Sequence, residues 1–269
     1  IGKFPDTNLA ESLQRITGVS IDRSQGEGSR ITVRGFGPDY NLVTLNGRQM
    51  PAANIAATSA SSSRSYDFAN LASEGVSAVE VYKTSLASQP TGGIGSTVNL
   101  VTAKPLANPG RKATITAKGM MDGSTETGSS ITPLVSGIYS ETFNDDKFGI
   151  QIIGSYQERD GGQASAETGN GWYTIKGDGG DWGSLPRDGS FTNIPGPNDV
   201  YSTPRNLAYN FDEFSRTRTN GQLTLQYAPN DRITTSLDYT YSELEVQTQR
   251  QQLSTWFNGL PAYGEYTPG

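Results

Sequence analysis

The chain has 269 residues, 33% of them hydrophobic, with 32 glycines, 14 prolines and a formal net charge of −6; this is a length for one or two domains and a composition for short strands and turns rather than helix bundles. Cysteine and histidine are both absent, which excludes disulfides, thiol nucleophiles and thiolate metal sites, and removes the commonest general base and metal ligand. The negative charge argues against nucleic acid as a partner.

No apolar run approaches the ~18 residues of a membrane helix, a test that is silent about β-barrels. The opening IGKFPDTN has neither the basic nor the apolar region of a signal peptide, and so abrupt a start is expected of part of a larger protein.

In chain order, Asn8 is placed to cap a short helix, with Glu11 three residues later and Leu9, Leu13 and Ile16 as its apolar stripe. Gly18 stops it. Arg30 to Arg34 alternates, with Ile31 and Val33 on one face, and Leu42 to Leu45 is a second strand closed by the turn Asn46-Gly47. The Ala/Ser-rich stretch Asn54 to Ser65 reads as an exposed loop. Asp67 is placed to cap another short helix ending near Gly75, followed by a strand from Val76 to Lys83. Gly92, Gly93 and Gly95 mark tight turns before a strand from Thr97 to Thr102, and Lys104 to Gly110 reads as a linker with Pro105 and Pro109.

After Arg111 the pattern changes to long alternating strands. Ala113, Ile115, Ala117 and Met121 share one face and Thr114, Thr116 and Lys118 the other. Phe148, Ile150, Ile152 and Tyr156 alternate with Gln151, Ser155 and Gln157; Leu223, Leu225 and Tyr227 with Gln222, Thr224 and Gln226; Ile233, Leu237, Tyr239 and Tyr241 with Thr234, Ser236, Asp238, Thr240 and Ser242. Strands of roughly 10 residues suit a transmembrane barrel; the strands of a soluble β-sandwich alternate too, but usually run ~5–6. Tight turns at Asn144-Asp145-Asp146 and Pro229-Asn230-Asp231 face long joins at Asp122 to Ser130, at Gly161 to about Phe214 and after Arg250. Short turns at one end and long loops at the other are the asymmetry of an outer-membrane barrel.

Of the remaining motifs, Gly35-Phe36-Gly37 lacks the third glycine of a dinucleotide fingerprint. The run GDGGD, Gly177 to Asp181, lacks EF-hand spacing and reads as a solvated turn.

The segment ITVRGFGPDYNLVTLNGRQMP, Ile31 to Pro51, resembles the plug signature of TonB-dependent outer-membrane receptors. VSAVEVYKTSLASQPTGGIGSTVNLVTAKP, Val76 to Pro105, resembles the second half of that plug, and IGKFPDTNLAESLQRITGVSI its first helix and strand. The resemblance implies an α+β plug domain at residues 1–108, a small mixed sheet with short helices, followed at 111–269 by about five antiparallel strands of a truncated β-barrel (22-stranded in the family). It implies that the rest of the barrel follows Gly269 and that the signal peptide and TonB box precede Ile1.

The resemblance further implies active import with no reaction on the ligand, and hence no catalytic residue, metal or cofactor. Its implied partners are TonB with its inner-membrane energising complex, a small nutrient, outer-membrane lipid and a surface lipoprotein. Arg34 matches a family arginine that pairs with glutamates of the barrel wall, for which a planar guanidinium is suited; Lys83 aligns with a second such position that is often arginine. Asp39, Tyr40, Asn41, Arg64 and Tyr66 fall in implied apical loops, and Trp172, Trp182 and Trp256 in outer loops, as candidates to read a ligand. The opening motif and the NGR turn resemble a subgroup linked to glycan uptake, so the expected ligand is an oligosaccharide, with a siderophore or cobalamin as alternatives. A transducing receptor of the same fold and a soluble carbohydrate-binding β-protein stay open beside it.

Overall fold

The computed structural model describes residues 8–52, 54–55, 60–61, 63–169, 171–176, 192 and 198–256. Its contacts group residues 1–162 with 213–248 in one unit and residues 163–212 with 249–269 in a second.

The first unit opens on α1 (Leu9–Leu13). Asn8 is extended and its side chain accepts from the Ala10 and Glu11 N–H groups at 3.0 and 3.4 Å, as an N-cap does. Glu11 is not used as a capping box: it accepts from the Gly28 N–H at 3.0 Å and pairs with Arg23 at 2.6 Å. Both contacts tie the helix to the hairpin of β1 (Val19–Ser24) and β2 (Glu27–Val33). That hairpin turns at Gln25-Gly26, with φ of 52° and 78°, the left-handed pair that matches strand twist.

The next strands are β3 (Asn41–Leu45), β4 (Arg48–Gln49), the two-residue partners β5 (Asn54–Ile55) and β6 (Ala60–Ser61), then β7 (Val76–Tyr82) and β8 (Ser96–Thr102). Four of these form a mixed sheet in the order β4-β3-β8-β7, with β3 and β8 parallel. Asn46-Gly47 makes the expected turn, with φ of 50° and 79°. The helix expected from Asp67 is instead two separate 3-10 turns, Phe68–Asn70 and Ser73–Gly75. Asp67 caps the first, but Leu71 and Ala72 between them stay extended and buried. Packing Leu71 into the core wins over helix propagation, which one capped turn cannot nucleate alone. The core of Leu9, Leu13, Val33, Phe68, Val98 and Leu100 is drawn wholly from residues before the expected boundary.

Lys104 to Gly110, read as a linker, is docked. Pro105 is buried, and a Cβ added at Gly149 would come within 2.8 Å of its ring.

The long strands are β9 (Lys112–Met121), β10 (Ile131–Phe143), β11 (Phe148–Glu167), β12 (Trp172–Lys176), β13 (Val200–Pro204), β14 (Asn206–Asn230) and β15 (Ile233–Trp256). Five form an antiparallel sheet in the order β15-β14-β11-β10-β9, while β12 and β13 pair separately. The turn at Asn144-Asp145-Asp146 holds three consecutive positive φ values, 55°, 53° and 59°. The long join read from Gly161 to about Phe214 is shorter than expected, because β11 continues to Glu167 and β14 starts at Asn206. The tail after Arg250 likewise continues as strand to Trp256. Glycine and polar residues disguised this continuation; Gly161 is a packing position, where an added Cβ would meet the Phe214 ring at 2.6 Å.

Candidate functional site

Along the five-stranded sheet in the first unit the usual relation of burial to polarity is reversed. On β10, Thr132, Ser136 and Ser140 are buried while Ile131, Val135, Tyr139 and Phe143 are exposed. On β11, Gln151 and Gln157 are buried and Phe148, Ile152 and Tyr156 exposed; on β14, Thr224 and Gln226 are buried and Leu225 and Tyr227 exposed. A sandwich strand hides its apolar face. Here the apolar face is left outward, and the polar face receives the N-terminal domain.

The contacts across that polar face are specific. Glu27, at the start of β2, is 4% exposed. Its Oε2 accepts from Arg216 Nη2 of β14 at 2.6 Å, and its Oε1 lies 3.0 Å from Arg159 Nη1 of β11. Arg159 also donates to Asp122 at 3.0 Å and stands over the Phe214 ring, 5.3 Å from its centroid. Arg218, also buried, donates to the Ala69 carbonyl at 3.0 Å. Further along, Lys104 pairs with Asp238 at 2.5 Å, Gln226 accepts from the Leu106 N–H at 3.0 Å and Ser242 donates to the Asn70 carbonyl at 2.6 Å. Buried charges persist only when paired, so this face needs its covering domain as much as that domain needs the face.

Arg34 and Lys83 line one cavity with Thr84, Ser85, Gln89 and Thr97. Arg34 donates to the Gly95 carbonyl at 2.9 Å and Lys83 to the Thr17 carbonyl at 2.6 Å. Among the described residues neither is paired with a carboxylate.

The apical candidates divide. Tyr40 is exposed and stands 6.3 Å from the Phe36 ring. Arg64 is exposed, near Gly92. Asp39 is exposed but engaged: its carboxylate accepts from the Ser63 hydroxyl and from the Arg64 and Ser65 N–H groups at 2.9 and 3.1 Å. The Ser63 hydroxyl bond, the largest effect, holds its carboxyl below the ordinary aspartate range; burial, second in size, works against it, and the two amides add to the lowering. Two candidates are corrected. Asn41 is buried, donating to the Ile31, Phe36 and Gly37 carbonyls and accepting from Ser96 at 2.8 Å, so its side chain is structural. Tyr66 is 6% exposed, edge-on to Phe68 in the core, and burial pushes its phenol far up. The Asp22 to Gly28 stretch is the tight hairpin that carries Glu27 inward.

In the second unit Trp172 and Trp256 are exposed, but on strands β12 and β15 rather than in loops. Trp182 and the Gly177 to Asp181 run lie outside the described residues. Within this unit Arg250 grips Asp212 through two bonds of 2.6 and 2.7 Å, and Asn210 links Glu167 and Gln252, each at 2.7 Å.

Sequence reasoning missed Glu27, Arg159, Arg216 and Arg218. The signal was present: Phe214, Arg216 and Arg218 share a face at period two, but they fall between the join read as ending near Phe214 and the strand read around Gln222 to Tyr227.

With a small mixed sheet seated on the polar face of an antiparallel wall, the family comparison completes the description. Residues 1–97 match the TonB-dependent receptor plug domain. This part of the chain is a plug domain. No curated protein matches the chain. Among solved structures, it is similar to the siderophore receptor PirA of Acinetobacter baumannii, at 13% identity and a TM-score of 0.44 over 91% of this chain and 41% of that one. It is also similar to a mutant of the ferric enterobactin receptor PfeA of Pseudomonas aeruginosa in complex with enterobactin, at 14% identity and a TM-score of 0.45 over 88% of this chain and 38% of that one. The chain thus spans less than half the length of either structure.

Proposed function

We propose that this chain is the plug and first wall strands of a TonB-dependent receptor that imports a scarce small nutrient across the bacterial outer membrane. The observation that carries the reading is the reversed sheet, apolar on its exposed face and polar on the face that meets the plug. Outward on β15 come Ile233, Leu237, Tyr239 and Tyr241 before the face turns to Glu243 and Glu245; on β11 come Phe148, Ile152 and Tyr156 before Glu158 and Asp160. Each apolar series runs about nine residues at ~3.3 Å, close to what a tilted strand needs to cross the hydrocarbon. Ligand binds at the outer face of the plug, TonB pulls on the N-terminal side, and the plug yields a path. Arg34 and Lys83 hold it seated through carboxylates on the rest of the wall.

The side chains left to meet a ligand are Tyr40, Arg64, Trp172 and Trp256, with Trp182. With Asn41 and Tyr66 withdrawn, the sugar-reading surface loses a hydroxyl partner and an aromatic, and what remains serves an oligosaccharide or an iron chelate. The test is uptake by cells carrying the receptor with and without TonB, fed on labelled glycans or ferric siderophores. Outer-membrane location and TonB-dependent uptake of one class are expected, reduced in Tyr40→Ala or Trp172→Ala. A water-soluble receptor, or uptake indifferent to TonB, would sink the reading.

A further inference from the structure

We infer that the β1–β2 hairpin is a latch, and that Glu27 is the group that fastens it to the wall. The inference rests on the importer reading for its purpose but on geometry for its substance.

The hairpin is not part of the four-stranded sheet. Its ties to α1, through Asn8 to the Gly28 carbonyl and Glu11 to the Gly28 N–H and Arg23, bind two elements that would move together. Its tie to the wall is of another kind. The compact Gln25-Gly26 turn brings Glu27, the first residue of β2, against two neighbouring wall strands at once. The tip itself reaches the wall, where a Cβ on Gly26 would be in ordinary van der Waals contact with Arg159 Nη2, at 3.5 Å. The polarity is opposite to that proposed for Arg34: here the plug supplies the carboxylate and the wall the guanidinium groups.

Arg216 and Arg218 are both buried, and Arg159 nearly so. Asp122 shares Arg159, but Arg216 has Glu27 as its ion-pair partner among the described residues. Neutralising Glu27 leaves buried positive charge without its partner, a condition relieved by admitting water along the hairpin. The hairpin therefore loosens from its tip when Glu27 lets go, while the sheet of β3 and β8, held by its own strand pairing and by the core it shares with Ile31 and Val33, stays closed. A pull on the segment before α1 reaches this tie before it reaches that sheet.

The test is amide hydrogen exchange of the intact, unenergised receptor in detergent. In Glu27→Gln the amides of β1 and β2 exchange faster on the order of a hundredfold, and those of β3 and β8 at the wild-type rate. Arg159→Met, which keeps the Arg216 contact, gives a smaller change confined to the same hairpin, and decides the matter alone if Glu27→Gln does not assemble. Lys104→Met, which cuts the exposed pair with Asp238, leaves the hairpin unchanged. An unchanged hairpin in both the Glu27 and Arg159 variants, or equal acceleration throughout the plug, overturns the latch. Exchange needs no transport, so loss of TonB-dependent uptake by wild type would count against the importer reading and not against the latch.

Discussion

At the scale of single residues, buried polar side chains govern how the plug holds its shape. Asn41 joins the 31–37 segment to β8 through four hydrogen bonds. Asn41→Ala removes all four bonds, leaving the Phe36 and Gly37 carbonyls only their Val33 and Tyr40 N–H partners, and should cost roughly 2–3 kcal/mol of plug stability, seen as a lower urea midpoint. Asp39 acts likewise on the 63–65 segment. Its folded pKa is depressed, so its contribution is complete above the unfolded aspartate value, about 3.9, and is lost as pH falls through the lower folded value. The amide shifts of Arg64 and Ser65 should therefore titrate below the ordinary aspartate range, and the titration should vanish in Asp39→Asn. Arg34→Ala should let large antibiotics leak through the intact receptor more than Lys83→Ala does, because a guanidinium fork holds carboxylates better than an ammonium. Equal exclusion by both variants would remove these residues from the lock.

At the scale of elements, the plug's turns are specified by residues that cannot be exchanged. A Cβ at Gly93 would lie 2.4 Å from the Ser96 carbonyl oxygen, which is backbone and cannot step aside. Gly93→Ala should lower plug stability by roughly 1–3 kcal/mol, measured by thermal unfolding. The strand β2 was legible because it buries a short alternating run: Ile31 and Val33 face the core as their spacing requires. The helix expected after Asp67 was not, since the cap was real but Leu71's burial is a tertiary fact. The distal halves of β11 and β14 were missed for a different reason. Asn206, Asn210 and Asp212 are buried and polar while Leu207, Tyr209 and Phe211 are exposed, so rules that take polar stretches for loops misread them. The Glu27 cluster follows from the same inversion, since no local pattern brings a hairpin residue to strands more than a hundred positions away.

At the scale of the whole molecule, the two faces of the wall are chemically opposite, and the proposed importer turns one to lipid and the other to the plug. The plug should fold alone, because its core is its own, whereas residues 111–269 should aggregate with β9 and β15 as bare edges. A soluble, monomeric 111–269 that unfolds cooperatively would speak for a sandwich. The most direct measurement exploits the absence of cysteine from this chain. Single cysteines at positions 236 to 239 of β15, labelled with a fluorophore in the intact receptor in brominated lipid, report which face meets hydrocarbon. Strong quenching is expected at Leu237 and Tyr239 and little at Ser236 and Asp238. Quenching at none of the four, or at all four alike, would contradict a wall that turns its apolar face to the membrane.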